Sequence, residues 1–110
     1  MFKASAAIAK FLRCKLHSVS GEIIVAGDEA FIGEIDQPAL AAGDPVVVYD
    51  KRAPGSHIFV AGGAIAWGAQ VTTAAAGKVV TGTGGVVDLG VCISPASGDG
   101  ALVEVLPHNV

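Results

Sequence analysis

The chain has 110 residues and a formal net charge of −3; hydrophobic residues make up 52% of it and charged residues only 15%, against a usual charged share of about 25%. That length fits one domain, and a domain this small buries roughly two thirds of the surface its unfolded chain exposes, so burial against a partner adds to its stability. The apolar residues are mostly small, 19 Ala and 15 Val beside 15 Gly with 5% aromatics, which suits closely spaced strands and tight turns rather than a ligand-sized core.

Charge divides the chain. Residues 1–21 carry Lys3, Lys10, Arg13 and Lys15 and no acid, whereas residues 22–110 carry all ten acids and only Lys51, Arg52 and Lys78 as bases. The composition predicts a basic amino-terminal arm (1–21) and a single acidic β-domain (22–110). An acidic body lacks the basic face that phosphate neutralisation needs, so nucleic acid is not an expected partner. The arm either seeks a negative surface or is a solvated terminus.

In chain order, Met1–Leu16 sets Phe2, Ile8, Phe11 and Leu12 among alanines and bases at spacings near three and four. This predicts an arm that is extended or partly helical, mobile when the chain is alone and ordered by a partner. Its candidate contact residues are Phe2, Lys3, Ile8, Lys10, Phe11, Arg13 and Lys15. The apolar run Ala4–Ala9 is too short for a signal peptide and is followed at once by bases.

From Leu16 onward Gly, Asp and Pro punctuate short Val and Ile runs every eight to twelve residues, the pattern of an all-β sandwich or barrel. Strands are expected at Glu22–Ala26, Ala30–Ile35, Val46–Tyr49, His57–Ala61, Gln70–Thr73, Lys78–Thr81, Val86–Ser94 and Ala101–Leu106. Gly43-Asp44-Pro45 should start a strand, its proline leaving the first amide position unpaired. Ser97-Gly98-Asp99-Gly100 reads as a hairpin turn between the last two strands.

The uncharged stretch Ala53–Gly77 is long enough for a membrane span. Pro54, Gly55, Gly62, Gly63, Gly68, His57 and Gln70 interrupt it, so no membrane contact is expected there. Leu40–Val46 and Ile65–Val71 share an apolar residue, then a glycine and a valine at steps of three. Two copies are too few for a solenoid, and the echo reads as one turn-into-strand device used twice.

Catalytic patterns are sparse. His17, His57 and His108 have no short metal-ligand spacing, and no serine lies in a G-x-S-x-G elbow. His57 follows Pro54-Gly55-Ser56 and reads as a solvated loop residue. Asp28-Glu29, and Glu34 with Asp36, read as solvated charges that discourage edge pairing. Thr81–Gly85 lacks the Lys-Ser/Thr ending of a phosphate loop, and neither Lys51 nor Lys78 has the neighbours of a carrier-domain lysine. Cys14 and Cys92 form no CxxC pair, so neither zinc nor a disulfide framework is signalled, and no cofactor is expected. Trp67 and Ile65 occupy a charge-free neighbourhood, and Trp67 fits an interface centre or the core equally well.

Four segments in order, Leu40-Ala-Ala-Gly-Asp-Pro-Val-Val-Val, Ala64-Ile-Ala-Trp-Gly-Ala-Gln-Val-Thr with Gly77-Lys-Val-Val, Leu89-Gly-Val-Cys-Ile, and Ser97-Gly-Asp-Gly-Ala-Leu-Val-Glu-Val-Leu, resemble the small capsid cement or head decoration proteins of tailed bacteriophages. The resemblance covers roughly residues 22–106. It implies a compact β-barrel or sandwich without catalytic residues. It also implies a homotrimer on the outer surface of the virion head, assembled in the host cytoplasm, that clamps the major capsid protein lattice. A small tail, baseplate or host-surface binding β-module is the other reading of the same scaffold.

Overall fold

A computed structural model of the chain describes residues 2–18, 20–27, 31–82 and 88–107. Asp28, Glu29, the loop residues Thr83 to Gly85 and His108 lie outside the described residues, as does the start of the strand expected from Val86. The elements are β1 (Phe2–Lys3), β2 (Arg13–Leu16), β3 (Ile23–Val25), β4 (Gly33–Gln37), β5 (Pro45–Asp50), β6 (His57–Val60), β7 (Gln70–Thr73), β8 (Val79–Thr81), β9 (Asp88–Ser94) and β10 (Leu102–Pro107). The fold is all-β. Among the described residues the only helical piece is a 3-10 turn at Ala75–Gly77, and no helix is long and apolar enough to cross a membrane.

The strands form two antiparallel sheets, ordered β1-β5-β4-β2-β3 and β6-β10-β9-β7-β8. A single parallel bridge joins the two outer strands of each sheet, at Ala4 with Ile23 and at Ala61 with Val79. Beside those bridges Ser5 N donates to Ile23 O at 3.0 Å and Gly62 N to Val79 O at 2.7 Å. Each sheet therefore curls almost shut around its own core, as a small barrel does.

The two barrels are one pattern used twice. Ala4, Ile8, Cys14, Ile35, Ala39 and Val46 of the first core fall on Ala61, Ile65, Val71, Cys92, Ala96 and Val103 of the second, a constant shift of 57 positions. The backbone repeats with them. Ile8 bridges Ala39 as Ile65 bridges Ala96, and Phe11 N donates to Ile35 O at 2.8 Å as Gly68 N donates to Cys92 O at 2.8 Å. That last position has φ of 70° at Phe11 and 80° at Gly68, a left-handed conformation natural to glycine and strained for phenylalanine. A Cβ at Gly33 would lie 2.1 Å from Tyr49 O, and one at Gly90 would lie 2.1 Å from Leu106 O. Both glycines let neighbouring backbones approach at the same place in each barrel.

The echo between Leu40–Val46 and Ile65–Val71 joins segments that are not equivalent. The counterpart of Leu40–Val46 is Ser97–Val103, and that of Ile65–Val71 is Ile8–Cys14. Identity survives where geometry is strict, as in Ala7-Ile8-Ala9 with Ala64-Ile65-Ala66, Pro38-Ala39 with Pro95-Ala96, and Gly33 with Gly90.

All eight strands expected after residue 21 are present, β5 opens on Pro45, and β9 and β10 pair as a hairpin. The amino-terminal segment is extended, one of the two forms expected of it, but it is not a separate arm: β1 pairs with β5, while β2 lies inside the first sheet between β4 and β3. The expected boundary after Gly21 falls within the β2–β3 hairpin. A helix this short is marginal in water, and ladder bonds on both sides of β2 offer its backbone a better alternative.

Candidate functional site

Among the described residues the buried charged side chains Arg13 and Glu34, with His57, lie where the barrels meet. Arg13 and Glu34 are cross-strand partners on β2 and β4, and Tyr49 on β5 pairs with Glu34. On a pleated sheet cross-strand partners share a face, and this face of the first barrel turns towards the second.

Arg13 is wholly buried. Its Nε donates to Lys78 O at 3.1 Å, and its Nη2 donates to Lys78 O at 2.8 Å, to Gly27 O at 2.7 Å and to Ala74 O. The guanidinium thus ties the first barrel to the loop around the 3-10 turn of the second, and it lies 5.3 Å from the centroid of the Phe31 ring. Phe31 itself belongs to the apolar cluster of the second barrel and meets Phe59 edge-on, ring centroids 6.2 Å apart.

Glu34 and His57 form the second tie. Both are buried, and His57 Nδ1 lies 3.0 and 2.9 Å from the two carboxylate oxygens of Glu34. His57 Nε2 is 3.1 Å from Ala53 O. A carbonyl only accepts, so Nε2 carries a proton and donates it, and the Nδ1 contact then holds a further proton shared with the carboxyl. Burial pushes the Glu34 carboxyl above its ordinary value, with the hydrogen bond and the charge of His57 opposing that rise. Tyr49 covers the imidazole, ring centroids 4.8 Å apart.

This arrangement corrects two expectations. His57 is not a solvated loop residue, and Glu34 is not a solvated edge charge; only Asp36 of that acid pair is exposed. Sequence spacing gave no warning, because the partners lie on different barrels. Ser56 precedes the histidine, but its hydroxyl donates to Glu104, and Nε2 is taken up by Ala53 O. A Ser-His-acid relay needs the serine on the ring nitrogen opposite the acid, so the pair is built as a tie. A cleft of about 140 Å³ remains beside it, lined by Phe11, Glu34, Asp36, Tyr49, Ser56 and Ile58. Small-molecule pockets run to roughly 300–1,000 Å³. Among the described residues no three His, Cys, Asp or Glu side chains gather as a metal site. Cys14 and Cys92 are buried and free.

The candidate arm residues do not act together. Phe2, Lys3 and Lys10 are exposed, Phe11 and Lys15 are half-buried, and Ile8 and Arg13 are buried. Ile8 fills the first core and Arg13 holds the barrels together, so neither reaches an outside partner. Lys10 lies 4.8 Å from the Phe11 ring centroid. Of the candidate interface pair, Ile65 is core, whereas Trp67 is 75% exposed. Trp67 stands on the turn equivalent to that of Lys10, and Leu40, 86% exposed, is the most open large apolar side chain among the described residues. No protein-family model matches this chain, and no curated protein is significantly similar to it.

Proposed function

We propose that the protein is a structural component of a phage head: a homotrimer that binds the outer surface of the capsid and clamps neighbouring coat subunits. The observation that carries this reading is a small, tightly tied double barrel whose buried Arg13, Glu34 and His57 are spent on internal contacts while several large apolar side chains face outward. Trp67, Leu40, Phe2, Leu102 and Leu106 are all exposed, and aromatic side chains such as Trp67 and Phe2 are enriched where proteins associate. Lys3 and Lys10 are also exposed and add a basic element suited to a negatively charged partner. The ordered glycine and valine segments supply the phage head as the setting.

In this reading Lys3, Lys10 and Trp67 are the contacts to the coat lattice. Three copies of each on one trimer act at high effective concentration, so weak single contacts sum to a lasting clamp. Co-sedimentation with purified heads, before and after expansion, tests it. Wild-type protein is expected to pellet with heads, and Trp67→Ala combined with Lys10→Glu is expected to weaken binding at least tenfold while the protein stays folded. A folded protein that ignores both forms of the head would rule the reading out.

A further inference from the structure

The internal repeat lets equivalent positions be compared, and they differ in burial where the barrels touch. Phe59 is 3% exposed at the junction, whereas its counterpart Phe2 is 43% exposed. Gly77 is buried and its counterpart Gly21 is exposed; the shift is one position less here because the His17–Glu22 loop has one residue more than the Ala74–Lys78 loop. Arg13 and Glu34 are buried, whereas Gln70 and Val91 in the same places on the second barrel are only half-buried.

The internal junction is therefore head-to-tail. The β2-β4-β5 face of the first barrel, bearing Arg13, Glu34 and Tyr49, meets the end of the second barrel that carries Phe59, Ala74 and Lys78. A two-fold arrangement would use the same face of both barrels. Here one face of each kind is left over: the second barrel keeps the Gln70, Val91 and Leu106 face, and the first keeps the end with Phe2, His17 and Glu22.

We infer that these two leftover faces bind each other between chains: the Gln70-Val91-Leu106 face of one copy receives the Phe2-His17-Glu22 end of a second copy, repeating the internal junction. The local chemistry fits. In the internal junction the loop that receives Arg13 is closed by Ala74 N donating to Lys78 O at 2.9 Å, and in the first barrel the equivalent loop is closed by His17 N donating to Glu22 O at 2.7 Å. Gln70 stands at the position of Arg13 and is half-buried there. Val91 replaces Glu34, so this junction needs no buried charge pair. Leu106, 45% exposed, and Ile93, 38% exposed, give it an apolar face on which Phe2 can bury.

A heterologous contact propagates until it closes into a ring. This inference deepens, and rests on, the self-association part of the proposed function; for a trimer, three chains set six equivalent barrels in one ring. It does not depend on attachment to heads.

The test is native mass and light scattering on purified protein, with circular dichroism to confirm folding. Wild type is expected to be a discrete oligomer. Leu106→Arg spoils one face and Phe2→Asp the other, so each alone should be monomeric or dissociate at least tenfold more readily. Mixed in equal amounts they should form a heterodimer and nothing larger, because each supplies the intact face the other lacks. If either interface variant unfolds, Ile93→Arg and Phe2→Ser take their places. A monomeric wild type, an oligomer untouched by these variants, or a mixture without heterodimer overturns the inference. A monomer that still binds heads ends the inference and leaves decoration standing; a ring that ignores heads does the reverse.

Discussion

Glu34 and His57 lie 23 positions apart in sequence and on different barrels, yet they share a buried contact of 2.9 Å. Removing either partner leaves a buried polar group without its counterpart. His57→Ala should cost roughly 3–5 kcal/mol, the usual penalty for breaking a buried pair from one side. Urea unfolding at neutral pH measures it, and a loss below about 1 kcal/mol would show the pair to be solvated instead.

The same pair gives a pH dependence. Burial raises the Glu34 pKa from its ordinary 4.5, against the pull of His57. The folded chain then holds that proton more tightly than the unfolded chain does. The Glu34 contribution to stability is full below pH 4.5 and is lost as pH rises through the elevated folded value. Glu34→Gln removes the titration, so its stability profile above pH 4.5 should fall less than that of wild type. Parallel profiles for the two proteins would contradict this.

Arg13→Ala should be among the most damaging single substitutions, about 3 kcal/mol or more, because it strips charge-assisted donors from Gly27, Ala74 and Lys78 carbonyls at once. Amide exchange offers a site-resolved reading. Protection should fall first around the 3-10 turn at Ala75–Gly77 and its flanking strands.

Gly33→Ala and Gly90→Ala should both destabilise, by about 1–3 kcal/mol or more, since each new Cβ would sit 2.1 Å from a carbonyl of the neighbouring strand, and Gly90, with φ of 144°, adds backbone strain. Thermal melts of the two variants compare the barrels directly. A neutral result at one site only would break their equivalence.

Burial first, and the Glu34 charge second, push the Cys14 thiol from 9.0 up to about 12. It should resist thiol reagents in the folded protein and react at once in denaturant. Its contribution to stability is full below pH 9.0 and is lost as pH rises towards about 12. Cys14→Val, which copies Val71 at the equivalent position, should cost less than about 1.5 kcal/mol and remove that alkaline loss.

Periodicity found the strands from β3 to β10 because alternation and turn residues are local signals, read within a few positions. It left Met1–Leu16 open between extended and helical, because alanine-rich spacing near three and four also suits a helix and the partner strands β4 and β5 lie well downstream in the chain. The repeat was written in the sequence at Ala7-Ile8-Ala9 and Ala64-Ile65-Ala66, and again at Gly33 and Gly90. Comparing segments at the wrong separation hid it.

The chain by itself determined an all-β molecule, its turns, and the absence of short-spaced ligand or nucleophile motifs, all of which depend on neighbours in sequence. Only the tertiary structure decided that Arg13, Glu34 and His57 are interior ties rather than solvated charges. Burial is a property of what packs over a residue, and here the covering groups come from the other barrel. The same reason separates Phe2 from Phe59 and Gln70 from Arg13: like positions in like barrels differ because one of each pair has a neighbour seated on it.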